Sequence, residues 1–323
     1  MHTIAILGAN GRLSNSAARA FLATGYRVIA VTRSGQATGL HGAEQQAADA
    51  MDREALIRAT EGADFIFNGL NPPYTEWAKR VLPMGENVVA AARHHGAVHL
   101  FAGNVYNYGH SIPPFVTDDT PQAAETRKGR IRIRLEQLFE RAAAEQAVKT
   151  IVVRAGDFYG SEGTGSWFDL VVAKKIGEGT YTYPGPGNVS HSWAYLPDLA
   201  EAFVRLADRA GDLPDHSRFL FAGHTMTGDV LKQHCETAMG HSLRGASVPW
   251  PLLRLCGLVV PMLREVSEMA YLWDRPHQLD DSGLETVIGT VPLTDPQIAV
   301  AQALADLGIA TRPDRVLLRT VAA

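Results

Sequence analysis

Thr3-Ile4-Ala5-Ile6-Leu7-Gly8-Ala9-Asn10-Gly11-Arg12-Leu13-Ser14 is the stretch on which the reading of this chain turns. Its first five residues are an apolar run without polar alternation, which reads as a strand buried on both faces. Gly8 permits a tight turn, and Gly11 lets the backbone approach another group with no Cβ in the way. Leu13 to Thr24 then reads as a helix, with Leu13, Ala17, Ala20, Phe21 and Ala23 on its packed face. Strand, glycine turn and helix together aim unpaired N–H groups and a positive helix end at a phosphate. The spacing is Gly-x-x-Gly-x-x-Ser, so Ser14 stands where a third glycine is usual and is small enough to keep helix and strand close. A second run, Tyr26 to Val31, follows at the distance of a right-handed crossover. The expectation is a nucleotide pyrophosphate held by Gly8, Asn10, Gly11, Arg12 and Leu13. The plain alternative is a turn that binds nothing.

Outward from this stretch, strand and helix signals alternate. Ala63 to Phe67 reads as a strand ending at Asn68-Gly69-Leu70-Asn71, Val81 to His94 as a helix, and Ala97 to Phe101 as a strand running into Asn104. Arg130 to Gln146 is an amphipathic helix, and Lys149 to Val153 a further strand. The pattern predicts an α/β fold: a Rossmann-type doubly wound parallel sheet with ligands outside the carboxyl ends of its strands. After Asp157 glycine and proline become frequent. The expected division is a dinucleotide-binding domain over 1–157, to which 191–209 returns, and a smaller substrate-binding lobe over 158–323.

Composition narrows the function class. The 323 residues are 46% hydrophobic and 20% charged, with a net charge of -4, so no general nucleic-acid binding is expected. The two cysteines, Cys235 and Cys256, lack metal spacing and read as free thiols. The chain enters a strand at once, leaving no room for a signal peptide, and a cytoplasmic protein with no membrane partner is expected. Val248 to Leu263, the most apolar stretch, is broken by Pro249, Pro251 and Pro261 and is too short to span a bilayer. It reads as packed helix and loop, or as a wall against an apolar substrate. His94, His95 and His99 straddle a helix end and a strand and form no helical metal pair.

Several further pieces resemble the extended short-chain dehydrogenase/reductases, in particular the NAD-dependent epimerase/dehydratase family. They are Gly8-Ala9-Asn10-Gly11, Asp49-Ala50, Asn107-Tyr108-Gly109, Arg154 to Gly160, and Ser192 to Ala200. The resemblance covers about two thirds of the chain. It implies Asp49 near adenine, Asn68, Gly69 and Leu70 on the path to a nicotinamide, and a homodimer with the helix starting near Lys128 at its interface. The family's chemistry uses Tyr-x-x-x-Lys with a Ser or Thr. None of the nine tyrosines here has a lysine four positions on. In the family's register Lys128 falls at the tyrosine, Arg132 at the lysine and Asn104 near the Ser/Thr, so the usual groups are replaced.

Arg132 stays charged and suits the nicotinamide ribose or a substrate anion. Lys128, pressed between Arg132 and a cationic nicotinamide, would have a lowered pKa and donate a proton. Tyr106 and Tyr108 are alternative donors, and Asn104 suits a substrate carbonyl. Tyr159 and His191 are expected to face substrate. The cationic run also reads as a solvated helix start. Trp167, Tyr181, Tyr183, Trp250 and Trp273 fit an aromatic pocket or ordinary packing.

Val31-Thr32-Arg33-Ser34, after the second strand, has no acid to hold an adenosine ribose. Arg33, Ser34 and Arg12 suit a 2′-phosphate, which makes NADP(H) preferred over NAD(H). The leading expectation is an NADP(H)-dependent oxidoreductase on a carbonyl or alcohol of a small molecule. The alternatives are a nucleotide-sugar epimerase/dehydratase with retained cofactor and a non-catalytic nicotinamide sensor.

Overall fold

The computed structural model describes residues 1–291 and 293–311. Strands β1 (Thr3–Leu7), β2 (Arg27–Thr32), β3 (Glu44–Ala47), β4 (Phe65–Asn68) and β5 (Val98–Asn104) come first. They are followed by the two-residue β6 (Phe115–Val116), then β7 (Thr150–Ala155), β8 (Asp157–Tyr159), β9 (Thr180–Tyr183) and β10 (Ser190–Tyr195). The last four are β11 (His216–Phe221), β12 (His224–Thr227), β13 (Arg244–Ser247) and β14 (Gln278–Leu279). Seven of these form one sheet in the order β11-β7-β5-β4-β1-β2-β3. All its pairings are parallel. The apolar run at residues 3–7 is buried at every position, as a strand covered on both faces must be.

The helices are α1 (Arg12–Ala23), α2 (Arg53–Ala59), α3 (Trp77–His95), α4 (Arg127–Gln146), α5 (Leu196–Asp208), α6 (Gly228–Met239), α7 (Trp250–Cys256), α8 (Pro261–Ser267), α9 (Ser282–Ile288) and α10 (Pro296–Asp306). α3 and α4 pack together over one face of the sheet, α1 and α5 over the other. α1 buries Leu13, Ser14, Ala17, Ala18 and Phe21 rather than Ala20 and Ala23. α4 starts where Thr126 Oγ1 accepts from the Gly129 amide at 3.1 Å, and buries Ile131, Leu135, Phe139 and Ala142. Phe139 is fully buried, so truncation to alanine costs about 3–5 kcal/mol.

β8, β10 and β12 form a smaller sheet beside α6 and α10. β11 departs from the expected division, because this segment beyond 209 returns to pair with β7 as the edge of the main sheet. The loops after β1, β2, β4, β5 and β7 all open on the same edge, which is where a ligand binds in such a sheet. Among the described residues no helix is long and apolar enough to cross a membrane, and no metal-type cluster occurs.

Candidate active site

The glycine turn has the geometry its sequence demands. Gly8 has φ +67°, a conformation strained for any residue with a Cβ, and Val31 O accepts from the Gly8 and Ala9 amides at 3.0 and 3.2 Å. Gly11 N donates to Gly8 O at 2.7 Å and caps α1 with no side-chain partner. The first-turn amides of Arg12, Leu13 and Ser14 meet no acceptor among the described residues, so the helix end is a ready anion site. Ser14 Oγ donates to Leu7 O at 2.9 Å. A Cβ on residue 69 would lie 2.0 Å from Ser14 Oγ, so the serine at the third glycine position requires Gly69 opposite. Asn10 bonds Gln36 O and the Thr38 amide and thereby ties the turn to the loop after β2.

Arg12 is not where the cofactor argument put it. Its guanidinium crosses to the second lobe, pairing with Asp169 at 2.5 Å, Ser166 Oγ at 2.8 Å and Gly160 O. Burial lowers its pKa, against the pull of Asp169. Arg33 and Ser34 are exposed after β2, and Arg33 has no ion pair among the described residues. Asp49 is exposed and caps the Met51 amide at 3.0 Å. Asn68 is buried, 3.3 Å from His99 Nε2, with Gly69 and Leu70 half-buried beyond it. Burial lowers His99 to about 3, so this imidazole is neutral.

On α4 the two expected cations have opposite surroundings. Lys128 is buried, with Nζ 2.6 Å from Glu265 and 2.5 Å from Glu268. Arg132 does not press on it. Arg127 shares Glu265, and although burial alone would raise this carboxyl, its two cations hold it below the usual value. Arg132 is also buried, yet it makes no hydrogen bond among the described residues and its Nε has no acceptor. Its guanidinium lies 4.6 Å from the Trp77 ring centroid and 5.5 Å from that of Phe101. It lines a small recess with Asn68, Leu70, Pro72 and Met84.

Tyr106 and Tyr108 also separate. The Tyr106 hydroxyl is 2.9 Å from that of Tyr74, whose ring lies 5.1 Å below Lys128 Nζ. Burial raises Tyr106 well above the usual phenol, with Tyr74 and Asp157 adding to it. Tyr74 is pushed up to about 12, chiefly by burial. Tyr108 is turned into the core, where its hydroxyl accepts from Arg154 at 2.8 Å. Arg154 pairs with buried Glu136, which also accepts from Asn107 at 2.9 Å. The Asn107-Tyr108 motif is thus one side of a buried ion-pair network. Asn104 is half-buried at the end of β5, its Oδ1 taken by the Tyr106 amide at 3.0 Å and its amide nitrogen without a partner among the described residues.

The remaining expectations divide too. Tyr159 does not face the cleft. It is fully buried in the second lobe, with its hydroxyl 2.6 Å from His224 Nδ1. His191 is buried, stacked on Trp273 at 4.2 Å, with Nε2 2.7 Å from Asp157 Oδ2 and Nδ1 without a partner. Tyr181, Tyr183 and Trp273 are core, while Trp167 and Trp250 are partly buried beside them. The Asp157–His191 pair is the group that reading by sequence missed. Its members lie 34 residues apart, and only the pairing of Asp157 with Trp193, across β8 and β10, brings them together.

The comparisons fit this geometry. A family model described as the NAD dependent epimerase/dehydratase family matches residues 4–218. The chain belongs to this family. No curated protein matches it in sequence. Among solved structures, the UDP-glucose 4-epimerase of Thermotoga maritima is similar at TM-score 0.77 and 15% identity, over 95% of this chain and 99% of that one. The UDP-glucose 4-epimerase of Bifidobacterium longum, solved with NAD+ and UDP, gives 0.74 and 17%, over 94% and 97%. A monomeric L-threonine 3-dehydrogenase from a metagenome gives 0.76 and 14%, over 95% and 98%. At these identities the likeness is one of fold. As a member of the family the chain is an NAD(P)-dependent enzyme of the short-chain dehydrogenase/reductase type, and its unpartnered first-turn amides and orphaned Arg132 fit such a dinucleotide.

Proposed function

We propose that this family member is an NADP(H)-dependent oxidoreductase that reduces a carbonyl of a small molecule, with Tyr106 as proton donor. The observation that carries the reading is the Tyr106–Tyr74 hydroxyl pair beside the orphaned Arg132 guanidinium, at the carboxyl edge of the sheet. When bound, the nicotinamide supplies or takes up a hydride. Gly11 and the amides of Arg12 to Ser14 would hold its pyrophosphate, Asn68 to Leu70 and Arg132 its nicotinamide end, and Arg33 with Ser34 a 2′-phosphate. Arg12 is reassigned to joining the lobes.

Tyr106 would give its proton to the carbonyl oxygen as the hydride reaches the carbon, Tyr74 would replace it along their hydrogen bond, and water at half-buried Tyr74 would restore the proton there. Asn104 Nδ2 donates to the same oxygen and orients it. The neutral phenol is the form that donates to a developing alkoxide. Charge disfavours the epimerase reading, because Lys128 and Arg127 are bound to glutamates and Arg12 to Asp169, so these cations are taken up before a sugar nucleotide's diphosphate could meet them.

The test is to release ligand from the purified protein, identify any nicotinamide by mass, and follow NADPH oxidation over a panel of carbonyl compounds. Exchangeable NADP(H) with carbonyl-dependent turnover is expected. Tightly retained NAD+ with exchange of a sugar ring hydrogen would replace this reading by the epimerase. Nicotinamide binding without turnover would leave the sensor.

A further inference from the structure

The hairpin formed by α7 and α8 is the most apolar exposed feature of the molecule. Leu252 is 55% exposed, Leu255 65%, Leu258 78% and Val259 82%, with Val260 and Met262 exposed beside them. Leu252, Leu255 and Val259 follow at intervals of three and four, and so share one side of α7 and its extension. The two helices pack closely at the turn, where a Cβ on residue 257 would lie 3.0 Å from the Arg264 backbone, so glycine stands there. On its inner side the hairpin is fastened to the cleft, where Glu265 and the adjoining Glu268 grip Lys128.

The exposed charges of the hairpin are its two arginines, Arg264 lying 3.8 Å from buried Glu265. Between residues 249 and 267 the ionisable groups of the charged kind are Arg254, Arg264 and Glu265. The glutamate is buried on Lys128 and Arg127, whereas both arginines are exposed. At the base of the hairpin Pro249 borders a cavity of about 430 Å³ that is also lined by Leu170, Lys174, Lys175 and Arg244, with Glu178 the one carboxylate. Leu170 adds a further exposed apolar side chain there.

We infer that the α7–α8 hairpin docks on an anionic lipid surface, its leucine and valine tip entering the headgroup layer and its arginines and lysines meeting lipid phosphates. Apolar insertion and opposite charge act together in this mode of attachment, and neither requires a spanning helix. A second copy of the chain fits less well, because a two-fold contact through this tip would bring Arg254 and Arg264 against their own equivalents. The inference does not depend on the reaction proposed above. It departs from the expectation of no membrane partner.

Co-sedimentation of the full-length chain with phosphatidylglycerol–phosphatidylcholine vesicles, against vesicles of phosphatidylcholine alone, tests it. Binding to the anionic vesicles is expected, several-fold above the neutral ones and weakened by salt. The pair L258D and V259D should reduce it by about tenfold or more. K174Q, K175Q and R254Q together should abolish the preference for anionic lipid. All five side chains are exposed, so melting temperature and nicotinamide binding should stay at the wild-type values and report that the variants are folded. No binding by the wild type would overturn the inference. So would binding that L258D and V259D leave unchanged. Self-association in analytical ultracentrifugation that these substitutions abolish, without vesicle binding, would assign the tip to a second copy instead.

Discussion

Lys128 and Arg132 lie one turn apart on α4, both buried and both cationic, yet one is saturated and the other is not. Two carboxylates enclose Lys128, while Arg132 has two aromatic faces and no acceptor. A buried charge is tolerated where it is paired, and an unpaired one persists where something other than stability keeps it. The difference separates architecture from site. Lys128 straps the second lobe to α4, and in the function proposed above Arg132 is kept for a ligand oxygen.

The largest effect should come from neither cation. If the strap is structural, Tyr106 carries proton transfer, and Y106F should lower kcat for carbonyl reduction about 10²–10⁴-fold with little change in nicotinamide affinity. Turnover of Y106F within a few-fold of wild type, together with inactive K128M, would return the donor role to the lysine. On stability the ranking reverses. K128M leaves Glu265 to Arg127 alone and Glu268 without a side-chain cation, and should cost about 1–3 kcal/mol in urea unfolding. An unchanged unfolding midpoint would break the comparison at its first member.

Acid sharpens it further. Burial lowers His99 and His277 to about 3 from an ordinary 6.5, so both are neutral in the folded protein. Their folded pKa values are depressed, so the unfolded chain takes up protons first as pH falls. Stability should therefore be fullest above about pH 6.5 and fall toward pH 3 by roughly 1 kcal/mol per pH unit for each histidine. Glu265 is also held low, so its contribution is lost in acid below the ordinary glutamate value. K128M should shrink the glutamate part of the profile, because Arg127 still pairs with Glu265, and leave the histidine part, which unfolding midpoints at a series of pH values would resolve.

What the sequence made legible was local. The glycine turn, its helix and the strand before it span adjacent residues, and their dihedral and packing needs can be read from residue type alone. Even the missing third glycine was interpretable, although its consequence at Gly69 was not. The site was legible only in part, because its deciding contacts are distant. Arg12 meets Asp169 across 157 residues, and Lys128 meets its glutamates across 137 and 140. A cation at a cofactor loop reads as a phosphate ligand until a carboxylate from another lobe is found on it. Tyr159 failed for a related reason, since a tyrosine at a strand end faces either layer and only the register of β8 with β10 turns it inward. β11 was missed because its run starts with polar His216, Ser217 and Arg218.

The smallest variant effect concerns cofactor choice. With Arg12 committed to Asp169, the proposed NADP(H) reading leaves the 2′-phosphate to Arg33, and R33A should weaken NADPH binding about tenfold while leaving NADH unchanged. Equal loss for both cofactors would place Arg33 at the pyrophosphate.

The account rests most directly on Arg132, and titration calorimetry of NADPH into wild type and R132M, alongside urea unfolding of both, tests it. Because Arg132 has no partner to leave exposed, R132M should unfold at the same or higher urea concentration while its NADPH affinity drops by about tenfold or more. Loss of stability with NADPH affinity unchanged would make Arg132 a structural cation like Lys128 and contradict the account.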